Sequence, residues 1–407
     1  MPWMECDRMS QREEFVLLAR QDGAKVAELC RRFRISRKTG YKWIGRFGRA
    51  GRAALGDASR RPRRSPRRTA PEVEQAALAV RTAHPAWGGR KIRARLLALK
   101  APRVPAASTI TEILRRHDRL EEQASAQRGP MQRFGRARPN DLWQMDFKGD
   151  FGLGDRTRCH PLTVLDDHSR YSIGVRACPD QQYRTVRDEL EAMFRIHGLP
   201  REILSDNGSP WAVPHDQGAG LTRLTAWLLR LDVRISHGRP YHPQTQGKEE
   251  RFHRTLKQEL LRDQWFDDLA HAQRGFDPWR RMYNHERPHE ALGLEVPASR
   301  YQPSVRAMPE TLPPLEYGPE AERRAVNPVG QVRFQGRRVK ASQAFAGECV
   351  GLRATACDGV FEILWARFVV GEADLRQAPR GAAASVRFRS LRSLQRTDAD
   401  PVTDGTL

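Results

Sequence analysis

Apolar positions recur at helical spacing through the first hundred residues and at strand spacing after that. Over residues 10–47, Phe15, Val16, Leu18 and Ala19 form one apolar face, and Val26, Leu29, Cys30 and Phe33 form a second. This spacing predicts two helices. Ser36 then stands where an N-cap belongs, before a third helix carrying Arg37, Lys38, Tyr41, Lys42 and Trp43. A second trio follows: Glu72 to Ala83, then Ile92, Leu96, Leu97 and Leu99 after Gly88-Gly89, then Ile110, Ile113 and Leu114 after Ser108. From residue 142 the rhythm shortens. Strands are expected at 142–150, 159–166 and 171–178, a helix at 183–197, a strand ending at Asp206, a helix at about 220–231, a strand at 233–237 and a helix from near Gln246. Over 326–376, short apolar runs are split by Gln335-Gly336 and Asp358-Gly359, which predicts a small β-barrel.

Charge divides the chain more sharply than hydropathy does. Residues 1–140 hold 33 Lys and Arg against 13 Asp and Glu, whereas residues 141–407 hold 38 against 36. A basic front on a nearly neutral body is the footprint of nucleic-acid binding. The expected domains are a helix-turn-helix over 1–55, a basic Arg/Pro linker over 56–70 and a second helix-turn-helix-like unit over 71–120. A linker at 121–140 leads to a core at 141–305, a further linker at 306–325, the barrel at 326–376 and a disordered tail at 377–407. In the first module, Arg37, Lys38 and Lys42 lie on a helix suited to a major groove. Arg60, Arg61, Arg63 and Arg64 lie in an extended arm that can enter a minor groove. Helix-turn-helix turns usually carry Gly where this chain has Arg34, so a left-handed Arg34 would be strained. The six cysteines show no CxxC pair and no zinc spacing, and read as reduced thiols of a cytoplasmic protein. No apolar run reaches membrane-spanning length, so no membrane partner is expected.

Three acidic residues carry the candidate chemistry. Asp146 lies in the strand-like Trp143-Gln144-Met145-Asp146-Phe147, Asp206 ends an apolar run, and Glu250 opens a helical stretch. Three carboxylates from distant segments make an oxygen-only site suited to Mg²⁺ or Mn²⁺. At 100° per residue, Phe252, Leu256 and Leu260 form an inward stripe with Glu249 at its centre. Glu250 lies about 100° away and shares its face with Arg254 and Lys257. Glu250 is therefore the expected ligand, Arg254 and Lys257 the expected phosphate contacts, and Glu249 an acid favoured only by the helix dipole. Asp166 and Asp167 are read as hairpin-turn residues. His242 and the surrounding 238–247 loop are further candidates for positioning DNA.

The run Ser236-His237-Gly238-Arg239-Pro240-Tyr241-His242-Pro243-Gln244-Thr245-Gln246-Gly247-Lys248, continuing into Glu250-Arg251-Phe252, resembles the third catalytic motif of bacterial insertion-sequence transposases of the DDE superfamily. Ser205-Asp206-Asn207-Gly208 resembles the second motif and Trp143 to Phe147 the first, while Tyr283-Asn284-His285-Glu286-Arg287-Pro288-His289 resembles the segment after the core. The resemblance implies a multidomain fold: all-α helix-turn-helix modules at the N-terminus, an α/β ribonuclease H-like catalytic core shared with retroviral integrases, and the small C-terminal β-barrel. It implies a two-metal site on Asp146, Asp206 and Glu250, with cleavage and strand transfer by direct transesterification. The implied partners are the terminal inverted repeats of an element, target DNA, and further copies of the chain assembled on DNA. Between Asp206 and Glu250 stand 43 residues, longer than is usual in the superfamily, and the excess is read as a surface insertion at about 209–220. The competing reading is a DNA-binding regulator with an inactive core.

Overall fold

The computed structural model describes residues 8–57, 69–120, 135–206, 221–237 and 247–397. The basic arm with Arg60, Arg61, Arg63 and Arg64, the expected insertion and the loop carrying His242 lie outside the described residues. The chain divides into two compact units, Met1–Arg68 and Thr69–Leu407.

The first unit is a three-helix module: α1 (Arg8–Ala19), α2 (Val26–Arg32) and α3 (Arg37–Ala50). Ser36 caps α3, its side chain accepting from the Thr39 N–H at 3.1 Å. Phe15, Val16, Cys30, Trp43 and Leu55 form the core. Trp43, expected on the DNA-facing helix, is buried, with the Arg12 guanidinium 4.1 Å from its ring centroid. Gly40 lets α3 approach so closely that a Cβ there would lie 2.6 Å from the Cys30 sulfur. Arg34 is left-handed, at φ 53°.

The second unit begins with α4 (Pro71–Ala83), α5 (Gly89–Ala98) and α6 (Ala107–Arg116) around Trp87, Ile92, Leu96, Ile110 and Leu114. This module covers the expected second helix-turn-helix-like unit. It packs on the core: Met282 joins its apolar cluster, Arg95 pairs with Glu286, and Arg90 reaches Glu290 at 3.5 Å.

The core is built on a mixed sheet. Its strands are β1 (Trp143–Phe147), β2 (Phe151–Gly152), β3 (Arg158–Asp166), β4 (Ser172–Cys178), β5 (Glu202–Ser205) and β6 (Arg234–His237). β4, β3 and β1 run antiparallel, β5 and β6 run parallel to β1, and β2 pairs with β3. The helices are α7 (Tyr183–His197), α8 (Arg223–Arg230), α9 (Gly247–Leu256) and α10 (Leu269–His285). α9 runs on into a π-helical turn, Lys257–Leu261. Three antiparallel strands followed by alternating helices and parallel strands is the ribonuclease H-like order expected from the sequence. Phe252, Leu256 and Leu260 are buried against Phe276, Trp279 and Tyr283 of α10, so the predicted stripe is the one that packs.

Both linkers beside the core are anchored where they are described. The Arg136 N–H donates to Asp167 at 2.7 Å, and Asn140 donates to Asp166 and Gln302. Arg306 bonds three carbonyls, of Pro200, Leu231 and Asp232. Arg306 satisfies partly buried carbonyls and Asn140 the buried Asp166 carboxylate, so these segments are part of the core's edge.

The C-terminal strands do not close into the expected barrel. They are β7 (Ala321–Ala325), β8 (Gln331–Phe334), β9 (Arg337–Lys340), β10 (Cys349–Ala354), β11 (Val360–Trp365), β12 (Phe368–Asp374), β13 (Ser385–Phe388) and β14 (Gln395–Arg396). The order β13-β12-β11-β10-β7, with β14 on β12, is an open sheet. β8 and β9 form a hairpin through Gln335 and Gly336, at φ 46° and 72°, and β9 meets the approach to β13 only at Arg338, whose backbone bonds Ala382 and Ala384, so no continuous ladder closes the sheet. β7 falls in the expected linker, while β13 and β14 fall in the expected tail, held by backbone pairing to β12. The sheet sits on α8, and the Trp365 indole N–H donates to the Ala226 carbonyl at 2.8 Å.

Candidate active site

Asp146 and Asp206 are brought level by strand register. In the parallel pair β1/β5, Trp143 lies opposite Ile203 and Gln144 opposite Leu204. Carried two residues further, the same register sets Asp146 beside Asp206. This is the carboxyl end of neighbouring parallel strands, where α/β sheets bind ligands. The Asp146 carboxyl is pushed up to about 6, first by burial and then by the charge of Asp206, against a lowering from Lys148. Two acids that repel each other fit a divalent cation, and their donors are oxygen only. Among the described residues, no group of three acidic, His or Cys side chains is close enough to hold a metal ion.

α9 presents two acids differently. Glu250 is exposed, as are Arg254 and Lys257. Glu249 is 2 % exposed, one carboxylate oxygen lying 3.3 Å from the Thr163 hydroxyl and the other without a hydrogen-bond partner. Burial, and then the Asp146 charge, raise its pKa well above the ordinary carboxylate range. The helix phase is thus as the stripe implied, but Glu249 is more than an acid at a helix terminus. It is a buried wall of the site.

Several neighbours were not singled out from the sequence. Thr163, opposite Asp146 on β3, donates to the Asp146 carbonyl at 3.0 Å and lies 2.8 Å from His253 Nε2. With that hydroxyl proton on the carbonyl, Nε2–H is the donor to Thr163. His253 Nδ1 then faces Asp146 Oδ2 at 3.9 Å, beyond hydrogen-bond reach. Burial, with Lys148 next, lowers the imidazole to about 3, so it is neutral. His237 Nδ1 donates to the Asp206 carbonyl at 2.9 Å, tying β6 to the end of β5. One signal for these residues was available: His253 lies four residues after Glu249, on the same face. Asp167 is a turn residue as expected, whereas Asp166 is the last residue of β3, paired with Trp143, and both are fully buried.

On α3 of the first unit, Arg37, Lys38, Tyr41 and Lys42 are all exposed, on adjacent turns of one face.

An Integrase core domain family matches residues 136–243, and a second Integrase core domain family matches residues 231–297. The C-terminal domain of the IS481 family transposases matches residues 321–380, starting at β7. The chain belongs to the DDE/integrase superfamily, among the insertion-sequence transposases. A Helix-turn-helix domain matches 11–63 and a Homeodomain-like domain matches 39–114. Among curated proteins, the chain is 31 % identical over 160 residues to an uncharacterized 39.2 kDa protein of insertion element IS476 from Xanthomonas euvesicatoria, covering 39 % of this chain and 44 % of that one. It is 28 % identical over 161 residues to an uncharacterized 31.7 kDa protein of insertion element IS407 from Burkholderia multivorans, covering 39 % and 54 %. The chain thus spans about half the length of these relatives. The magnesium-bound integrase catalytic core domain of HTLV-2 aligns with 42 % of this chain and 100 % of its own, at 15 % identity and a TM-score of 0.31, too loose a likeness to add to the topology above. No helix among the described residues is long and apolar enough to cross a membrane.

Proposed function

We propose that this transposase-family member binds the ends of an insertion sequence and carries out metal-dependent cleavage and strand transfer of DNA. The observation that carries the reading is the level placement of Asp146 on β1 and Asp206 at the end of β5, with the first turn of α9 held to β3 by Glu249 and Thr163, opposite Asp146. Asp146, Asp206 and Glu250 would hold Mg²⁺ or Mn²⁺, which supplies activation of the attacking oxygen and charge stabilisation at the leaving one. Thr163 fixes the backbone of Asp146 and His237 fixes that of Asp206. Exposed Arg254 and Lys257, further along α9, offer phosphate contacts, and Arg37, Lys38, Tyr41 and Lys42 offer a groove-reading face. In the first step water adds to the phosphorus, the P–O3′ bond breaks and the 3′ oxygen takes up a proton. In the second, that 3′-OH attacks a target phosphodiester, displacing another 3′ oxygen. No covalent protein–DNA bond forms. Further copies of the chain assemble on the DNA so that two ends are joined together.

The test uses the full chain, a labelled element end and Mg²⁺. Asp206→Asn should abolish cleavage while leaving end binding within about twofold, a shift under ~0.5 kcal/mol. Cleavage at the wild-type rate by this variant would remove Asp206 from the site. Wild-type protein that binds the ends and never cleaves them would leave the regulator as the better reading.

A further inference from the structure

We infer that Asp167 is a positioning residue for the metal site, anchoring the first turn of α9 and through it the Glu250 carboxylate. The inference rests on the metal-site reading above and deepens it. Asp167 follows β3, and its side chain has no exposed surface. A buried carboxylate is strongly unfavourable unless donors surround it. Here the donors converge from four segments. The Arg136 N–H, from the strand-like approach to β1, reaches Oδ2 at 2.7 Å. Gln144 Nε2, from β1 itself, reaches Oδ1 at 2.7 Å. Lys248 Nζ, from the first turn of α9, pairs with the same oxygen. Arg170, from the β3–β4 turn, stands 3.9 Å from it. The backbone takes part as well, since the Asp167 N–H donates to the Leu142 carbonyl at 3.0 Å.

Two of these donors bracket the proposed ligands. Gln144 precedes Asp146 by two residues, so the pleat puts both on one face of β1. Lys248 precedes Glu250 by two residues on α9. One buried carboxylate therefore grips a strand and a helix next to the acids they carry. The far half of α9 is fixed by Phe252 and Leu256 in the apolar cluster. Its first turn is held to the sheet by polar contacts, those of Lys248 with Asp167 and of Glu249 with Thr163. Glu250 is exposed, so its place relative to Asp146 follows from the path of that first turn. Asp166 supplies the contrast. It is just as buried, at the end of β3, but its partners are the Asn140 N–H and the Ser169 N–H and hydroxyl, none of them on α9.

The experiment measures Mn²⁺ binding to the full chain by calorimetry, together with its thermal unfolding. Removing an outer-shell partner typically weakens metal affinity by about 10–100-fold. Asp167→Asn and Lys248→Met should each raise the Mn²⁺ dissociation constant by about tenfold. Asp166→Asn should leave it unchanged even where it lowers the unfolding temperature as much. Lys248→Met keeps the test alive if Asp167→Asn does not fold, because it leaves the other donors to Asp167 in place. Adding Lys248→Met to Glu250→Gln should weaken Mn²⁺ no further than Glu250→Gln alone, since the anchor acts through that carboxylate. Wild-type affinity in both Asp167→Asn and Lys248→Met, or equal weakening in Asp166→Asn, overturns the inference and leaves the metal-site reading standing. A wild-type protein that binds no Mn²⁺ overturns the metal-site reading and this inference with it.

Discussion

The helical phase of α9 follows from Phe252, Leu256 and Leu260, and it places Glu249 inward and Glu250 outward in both sequence and structure. The consequence for Glu249 was not legible, because burial depends on what covers the helix. Its cover is β1 and β3, far off in the chain. Burial raises the Glu249 carboxyl well above its ordinary value of about 4.5 in the folded state, so between the two values the folded chain keeps a proton that the unfolded chain has lost. Folding therefore takes up a proton there, and stability falls as pH rises above the ordinary value. Gln mimics the protonated acid. Glu249→Gln should unfold at a higher temperature than wild type at pH 7, and the gain should vanish below about pH 4. A gain of equal size at both pH values would mean Glu249 is not the titrating group. Arg34 is a second residue read correctly from a turn pattern: it is left-handed, at φ 53°. Glycine carries no Cβ penalty in that region, though it loosens the unfolded chain. Arg34→Gly should stabilise the first module by about 0.5–1 kcal/mol, seen as slower amide exchange across α2 and α3. Faster exchange there would show that the arginine side chain outweighs the backbone relief.

Elements were legible where the repeat was local. β3, β4 and α7 fall within a residue of their expected spans, β5 ends one residue before Asp206, and β1 and α8 are each shorter than expected by three residues at one end, since alternation and helical spacing are properties of neighbours in sequence. Pairing partners are not local. The C-terminal runs of Val332, Phe334 and Val339 were read as strands, but nothing in them says that β8 and β9 would form a hairpin that meets the larger sheet only at the Arg338–Ala383 bridge. β13 was missed because Ser385 to Phe388 alternates arginine and half-buried apolar residues, a weak signal that becomes a strand only against β12. The close approach of α5 and α6 was hidden in the same way. Gly89 starts α5, and a Cβ there would collide with the Ala107 carbonyl and lie 2.5 Å from the Thr111 hydroxyl. The carbonyl is backbone, so the helices must part. Gly89→Ala should destabilise this module by about 1–3 kcal/mol, with faster amide exchange in α5 and α6 and none in α3. Unchanged exchange in α6 would mean the helices separate freely.

At the scale of the whole chain, charge was legible and cooperativity was not. The sequence suggested a string of domains joined by linkers, yet everything from Thr69 onward forms one compact unit. The reasons are individual contacts that no composition reveals. Arg95 ties the second helical module to Glu286, and Arg306 ties the expected linker to carbonyls of the core. Trp365 ties the C-terminal sheet to α8 through its N–H, which meets the Ala226 carbonyl, while its ring stacks on Phe345 of the C-terminal segment itself at 4.2 Å. Buried residues of the core and of the C-terminal sheet belong to one apolar cluster, so neither can open without exposing the other. Calorimetry of the full chain should therefore show two transitions, a small one from the first unit and a large one in which the second module, the core and the C-terminal sheet melt together. Trp365→Phe keeps most of the stacking area but leaves the Ala226 carbonyl without its donor, at about 1–3 kcal/mol for an unsatisfied buried group. It should lower the large transition by a few degrees and leave the small one where it is. A separate third transition in the wild-type protein, or a Trp365→Phe variant that splits the large one, would show that the C-terminal sheet folds on its own and only rests against α8.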